Sequence, residues 1–161
     1  MPKMTIKGLD DVVSSLSRAG ANTDKLCKKA LYEGAKIVAD EVKKGVQEIP
    51  VVNGYGTDPD PLPGGAKALQ KAGLLNSLGV STFRDSGGNI DTSIGFDGYN
   101  LLKTKKHPGG QPNRLIARSI ESGTSFQMKH PFVRPAISRS RKAAEAKMEE
   151  VLKEELSKLL E

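Results

Sequence analysis

The sequence predicts an α+β domain in which two long helices pack on a small antiparallel sheet, with two long Pro/Gly-rich loops outside that core. Apolar residues recur at helical spacing in one stretch that ends at Ile49 and in another that follows Pro135. Between them, two short alternating segments flank a Gly-Gly pair, a pattern typical of a β-hairpin. Helices that cover an antiparallel sheet form a two-layer architecture. With 161 residues, the chain is expected to be one domain, residues 1–161.

Three elements are predicted before Pro50. Residues 4–7 form a strand candidate, and residues 9–19 carry a helical apolar pattern closed by Gly20. The first long helix starts at Asn22 or Thr23, either of which can cap it, and extends to Ile49. Its apolar face consists of Leu31, Ala35, Val38, Val42, Val46 and Ile49.

Two glycines, Gly34 and Gly45, lie inside this helix. Each costs about 1 kcal/mol of helix stability relative to alanine. Close packing against another element is the simplest reason for keeping them, and a soft point in the helix is the alternative.

Residues 51–67 and 98–113 are long segments rich in proline and glycine. They contain little apolar surface to offset the entropy of ordering, so both are predicted to be mobile in the free protein and to become ordered on assembly. Long loops in compact domains often carry function. The Gly64-Gly65-Ala66-Lys67 string lacks the spacing of a phosphate-binding loop, and no apolar strand precedes it.

The middle of the chain predicts a short helix and a hairpin. The helix covers residues 68–78, and the hairpin strands lie within residues 79–84 and 89–96. Residues 85–88, Asp-Ser-Gly-Gly, supply the turn, because glycine readily adopts the positive φ that a tight hairpin turn requires.

The C-terminal third predicts two helices joined by a sharp connector. Residues 114–122 form the first helix, with Asn113 as its N-cap and Gly123 in a left-handed conformation just after its end. Pro131 redirects the chain, and the final helix extends from Pro135 to Leu160. Phe132 is predicted to be a buried anchor for that helix.

Residues 114–137 resemble the C-terminal signature of a family of small tailed-bacteriophage proteins described as tail-component, tail-completion or head–tail joining (neck) proteins. That signature is a short helix ending in an acidic residue, then Gly-Thr, a few variable residues and Pro-Phe-x-x-Pro-Ala. The matching positions are Glu121, Gly123, Thr124, Pro131, Phe132, Pro135 and Ala136. A Thr-Gly-x-Leu-x-x-Ser element of the family has its counterpart in residues 72–77, where Gly73 matches and Ala72 replaces the usual hydroxyl residue.

The resemblance implies the same α+β architecture and a structural protein of the virion neck or tail, present in the host cytoplasm during assembly. It implies a ring of identical subunits, six-fold like phage tail tubes, that binds the head connector and tail proteins. DNA would pass through the lumen without sequence-specific binding. The 4% aromatic content and the absence of tryptophan predict a thin core, which fits a protein that completes itself by oligomerising.

The net charge of +6 leaves an alternative, a small basic nucleic-acid-binding module. Basic residues cluster within residues 103–106 and 134–147, although glutamates interleave with the C-terminal lysines. Arg139 and Arg141 are expected to contact a neighbouring subunit or connector individually, because the basic run cannot share one helix face. Residues 1–20 lack the apolar core of a signal peptide, and no apolar run reaches the length of a membrane span. A soluble, intracellular protein without a membrane partner is expected.

No catalytic, cofactor-binding or metal-binding residues are predicted. The two histidines, His107 and His130, have no evident partner, and the single Cys27 is too few for a disulfide or a His/Cys zinc site. Asp58 and Asp60 could contact a hard cation, but they lack the spacing of a calcium loop. The chain is therefore not expected to be an enzyme.

Overall fold

The computed structural model describes residues 23–160, and the elements predicted at residues 4–7 and 9–19 lie outside that range. Within it there are four helices and two antiparallel two-stranded sheets, which confirms the predicted α+β class. The helices are α1 (Thr23–Glu48), α2 (Ala68–Ser77), α3 (Asn113–Ser122) and α4 (Val133–Leu160). The strands are β1 (Leu78–Val80), β2 (Arg84–Ser86), β3 (Asn89–Asp91) and β4 (Ile94–Phe96).

The core forms mainly where α1 and α4 pack lengthwise on each other. The predicted apolar face of α1 is buried, apart from the half-buried Leu31. Both helical glycines face α4 or the residue before it, as the close-packing interpretation requires. A Cβ added at Gly34 would collide with the Met148 side chain, and one added at Gly45 would lie 3.0 Å from the Phe132 carbonyl oxygen. These glycines allow the two long helices to approach closely.

The predicted hairpin is present, with a turn of the predicted kind. Gly87 and Gly88 have φ angles of 64° and 88°, as a two-residue primed turn requires. Residues 81–83 on one strand lie opposite residues 92–93 on the other, because the register shifts by one residue between the β1–β4 and β2–β3 pairs. This bulge divides the hairpin into two short sheets.

Hydroxyl side chains replace part of the strand pairing at the bulge. The Ser81 hydroxyl accepts a hydrogen bond from the Ser93 amide at 3.0 Å, and the Thr92 hydroxyl donates to the Ser81 carbonyl at 2.9 Å. The bulge therefore leaves these polar groups paired.

Two predicted helix starts are wrong by one or two residues. The final helix begins at Val133 rather than Pro135, which lies in its first turn, where a missing N–H costs nothing. Asn113 is the first residue of α3 rather than its N-cap. Its backbone N–H donates to the Gly98 carbonyl at 3.0 Å, and its Nδ2 donates to the Asp97 carbonyl at 2.9 Å. Asn113 thus closes the second Pro/Gly-rich loop, residues 98–113, instead of capping the helix.

Candidate functional site

The carboxylate of Glu121, in the last turn of α3, caps the first turn of α4. Its oxygens accept hydrogen bonds from the backbone N–H groups of Phe132 at 2.7 Å, Val133 at 2.8 Å and Arg134 at 3.1 Å. These amides lack partners inside the helix, and a negative charge is favourable at a helix N-terminus. One side chain thus ties two helices together across the connector.

We expect Glu121→Ala to lower the free energy of unfolding by about 1–2 kcal/mol, as the loss of an N-cap does. Glu145→Ala is the control, because Glu145 makes an exposed ion pair with Arg141, and both residues are on α4. Loss of this pair should lower the free energy of unfolding by less than about 0.5 kcal/mol. Urea unfolding of both variants measures the difference. Equal losses would contradict the capping role.

Gly123 ends α3 with a backbone conformation that favours glycine strongly. Its φ of 75° confirms the predicted positive value, but its ψ of 173° does not correspond to the left-handed helical region that was predicted. This combination is adopted almost only by glycine. A Cβ at Gly123 would lie 2.9 Å from the Lys129 backbone nitrogen, because the chain folds back on itself here instead of continuing as a helical cap.

A compact turn follows Gly123. The Thr124 N–H donates to the Gln127 carbonyl at 2.9 Å, and the Thr124 hydroxyl accepts from the Phe126 N–H at 3.2 Å. Beyond the turn, the His130 N–H donates to the Ile120 carbonyl at 2.7 Å. The connector is thereby fastened to α3 before Pro131 directs the chain into α4.

Phe132 anchors the connector in the core, as predicted, with 3% of its surface exposed. Its ring centroid lies 6.0 Å from that of Phe96 on β4, and its backbone packs against Gly45 of α1. Ala136, one turn later, is fully buried. The signature residues therefore converge on one joint, the connector joint, which consists of Glu121, Gly123, Thr124, Pro131, Phe132, Pro135 and Ala136.

Gly73 lies elsewhere, on α2, where it packs against the base of the second loop. A Cβ at Gly73 would lie 2.5 Å from both Asn100 Cβ and Asn113 Oδ1. Asn100 and Asn113 are 3% and 2% exposed. Gly73 was predicted as a site residue from the sequence, but Asn100 was not, because the burial of Asn100 depends on how the second loop returns to α2.

Asn100 organises the second loop with one end of its side chain. Its Oδ1 accepts from the Leu102 N–H at 2.9 Å and, more weakly, from the Gln111 N–H at 3.4 Å. Its Nδ2, together with Asn113 Oδ1 and Ser77 Oγ, is buried without a hydrogen-bond partner among the described residues. Ser77 is one helical turn from Gly73, so these atoms face the same part of α2.

Gly73→Ala should destabilise the protein by about 1–3 kcal/mol, the usual cost of overpacking, even though alanine favours a helix by about 1 kcal/mol. The matched control is Gly79→Ala, because a Cβ there meets nothing within 4 Å. Thermal and urea unfolding of the two variants test this. A stabilised Gly73→Ala protein would show that the loop yields to the methyl group.

No protein family, curated protein or solved structure matches this chain.

Among residues 23–160, no three His, Cys, Asp or Glu side chains come together as a metal site. Burial raises the pKa of the Cys27 thiol, with a smaller contribution from Asp24, and so reduces its thiolate fraction. None of the described helices is long and apolar enough to span a bilayer.

The first Pro/Gly-rich loop, residues 51–67, is attached to the connector between α3 and α4, residues 123–132. At its base, the Val52 N–H donates to the Ala66 carbonyl at 2.9 Å. Farther out, the Leu62 N–H donates to the Phe126 carbonyl at 3.0 Å, and the Met128 N–H donates to the Leu62 carbonyl at 2.8 Å. The predicted mobility of residues 51–67 and 98–113 stays a prediction.

Arg139 and Arg141, the predicted contact residues on α4, make ion pairs within the chain. Arg139 Nε lies 3.4 Å from a Glu41 carboxylate oxygen on α1, and Arg141 Nε lies 3.0 Å from Glu145. A hydrogen bond from Lys44, and to a smaller extent one from Arg139, lowers the pKa of Glu41. Both arginines are exposed and can reach a partner. Because each already pairs with a carboxylate of its own chain, the predicted contact with a partner would compete with these ion pairs.

Proposed function

We propose that this protein is a virion assembly component, the head–tail joining or tail-completion protein of a tailed phage or prophage. It forms a closed ring through heterologous contacts between identical subunits. One side of the ring binds the head connector and the other binds the tail, in the virion neck. DNA passes through the lumen without sequence-specific recognition. Subunits accumulate in the host cytoplasm until the parts join.

The observation that carries this proposal is the connector joint. The residues that resemble the phage signature are the ones that cap, turn and anchor the start of α4. Glu121 binds three amides of that helix, Gly123 allows the reversal, and Phe132 fills the core. Such a joint fixes the direction of a 28-residue helix, which suits an assembly protein.

The placement of aromatic residues supports a contact role. The sequence has seven Phe and Tyr residues, of which only Phe96 and Phe132 are buried. Four are exposed, namely Tyr32, Tyr55, Tyr99 and Phe126. Aromatic side chains are enriched in protein interfaces, and exposed apolar patches mark binding surfaces.

A basic nucleic-acid-binding module is the second candidate, favoured by the exposed Lys103, Lys105 and Lys106 in the second loop. Against it, Arg139, Arg141 and Lys147 on α4 each pair with a carboxylate of the same chain. Paired side chains are less available to phosphates.

Complementation tests the proposal. A phage or prophage that lacks this gene should accumulate separate heads and tails, and joining should return when the wild-type chain is supplied. A variant with Lys103, Lys105 and Lys106 changed to glutamine should still complement if DNA binding is not its task. Normal joining without the gene, together with DNA binding whose salt dependence shows several phosphate contacts, would favour the nucleic-acid module.

A further inference from the structure

Almost all of the net charge of this chain is concentrated in one segment, residues 98–120, the basic segment. It contains five lysine and arginine side chains and no aspartate or glutamate. The remaining residues have 20 cationic and 19 anionic side chains, so the basic segment carries +5 of the formal net charge of +6. Its cations are all exposed, namely Lys103, Lys105, Lys106, Arg114 and Arg118.

Ion pairs within the chain neutralise cations of the two long helices but not those of the basic segment. Among the described residues there are nine ion pairs, and the cation of each lies on α1 or α4. No cation of the basic segment pairs with a carboxylate of residues 23–160. The basic segment is therefore a surface of one sign, which attracts anionic partners.

Three of these cations, Lys103, Lys105 and Lys106, lie around a tight turn in the second loop. The Thr104 N–H donates to the His107 carbonyl at 3.0 Å, and the His107 N–H donates to the Thr104 carbonyl at 3.1 Å. Lys105 and Lys106 are the two residues that this turn encloses, and Lys103 directly precedes it. The turn thus presents three exposed ammonium groups within four residues.

The two arginines lie on α3, which begins where the second loop ends. Arg114 and Arg118 are one turn apart on an exposed face, and like charges at this spacing repel. Arg114 is also in the first turn of α3, where a positive charge is unfavourable and no acidic residue offsets it. The base of the loop is closed beside it, where the Asn100 N–H donates to the Gln111 carbonyl at 2.9 Å. An external anion would relieve this repulsion.

The composition of the basic segment favours the phosphates of double-stranded DNA over an acidic protein surface. Protein interfaces depend on aromatic and apolar anchors, and residues 103–111 contain no large apolar side chain. The lysine ammonium is a hydrated point charge on a flexible stem, which suits phosphate contacts without fixed geometry. Proteins that bind single strands stack the bases on aromatic side chains, and Tyr99 is the only Phe, Tyr or Trp of the segment.

We propose that the basic segment binds the phosphate backbone of double-stranded DNA without reading its sequence. The inference deepens the proposed function and rests on it in one respect, because in a ring this surface would face the channel through which DNA passes. Contacts that act by counterion release carry no sequence information and let a protein slide along DNA. The basic segment shares no residue with the connector joint, so DNA binding and head–tail joining are separable.

Fluorescence anisotropy of a short labelled duplex, titrated with the full chain, tests this. If all five cations contact phosphates, the wild-type association constant should fall about 500-fold between about 50 and 200 mM salt, since each contact adds about −0.9 to the log–log slope. A lysine variant, with Lys103, Lys105 and Lys106 changed to glutamine, should lose only about 10-fold over this range. An arginine variant, with Arg114→Gln and Arg118→Gln, should lose about 40-fold. Duplexes of unrelated sequence should bind equally.

The matched control removes the same charge from other exposed positions. It carries Lys36→Gln, Lys44→Gln and Lys153→Gln, and each of these lysines pairs with a glutamate of its own helix. This protein should keep the wild-type affinity and salt dependence. All of the substituted side chains are exposed, so every variant should fold, which thermal unfolding verifies.

Several results would overturn the proposal. They are a wild type that does not bind the duplex at about 50 mM salt, a lysine variant with unchanged salt dependence, a control that weakens as much as the lysine variant, and tighter binding to single strands. A lysine variant that binds DNA normally but no longer joins heads to tails would assign these cations to an acidic protein surface instead.

The same experiments separate this inference from the proposed function. If DNA binding depends on the five cations while phage without the gene join normally, the proposed function fails and the DNA surface stands. If joining requires the gene but the wild type does not bind DNA, this inference fails alone.

Discussion

Replacing Phe132 with alanine is expected to lower the free energy of unfolding by about 3–5 kcal/mol, the usual cost of truncating a buried phenylalanine. The side chain is 3% exposed and its ring lies 6.0 Å from that of Phe96. Its backbone also contacts Gly45, so the neighbouring helix can collapse little into the space left behind. Urea denaturation measures the change.

Phe126→Ala is the matched control, because Phe126 belongs to the same connector but is 59% exposed. Its replacement should change stability by less than about 1 kcal/mol, as surface substitutions usually do. Similar losses in the two variants would show that Phe132 is not the anchor of the connector joint.

Gly123→Val is expected to lower the free energy of unfolding by about 2–3 kcal/mol, or to prevent folding. A φ of 75° with a ψ of 173° is strained for any other residue, and most of all for a β-branched one. The added Cβ would also lie 2.9 Å from the Lys129 backbone nitrogen, and backbone cannot move aside cheaply. Circular dichroism and thermal unfolding measure the outcome.

Gly79→Val provides the comparison for this substitution. Gly79 is in β1, where valine is favoured, and a Cβ there meets nothing within 4 Å. That variant should be as stable as the wild type or more so. A Gly123→Val protein with equal stability would mean that the chain can leave α3 by another path.

Periodicity in the sequence was enough to predict the long helices and the hairpin. The apolar face of α1 repeats over about five turns. The Gly87-Gly88 pair specifies the turn between the strands. The bulge was not predictable, because it depends on how Ser81, Thr92 and Ser93 pair across the hairpin.

The start of α4 shows why helix boundaries were harder to predict. Pro135 was a local signal for the first turn, but the cap comes from Glu121, a carboxylate that is 11 positions before Phe132 along the chain. Because Glu121 satisfies the amides of Phe132, Val133 and Arg134, the helix can begin before the proline. The cluster of Asn100, Asn113 and Ser77 was missed for the same reason, since distant segments create it.

Because the Glu121 carboxylate of α3 caps the first turn of α4, a movement of α3 would rotate α4 about the connector joint. Its 28 residues span about 42 Å at 1.5 Å per residue. A swing of about 5° at the capped end would move the far end by about 4 Å over that length. Because α1 packs along α4 and Gly45 holds the Phe132 backbone, the pair of helices would swing together. A partner that displaces the last turn of α3 would therefore also displace the C-terminal end of α4, at the opposite end of the domain.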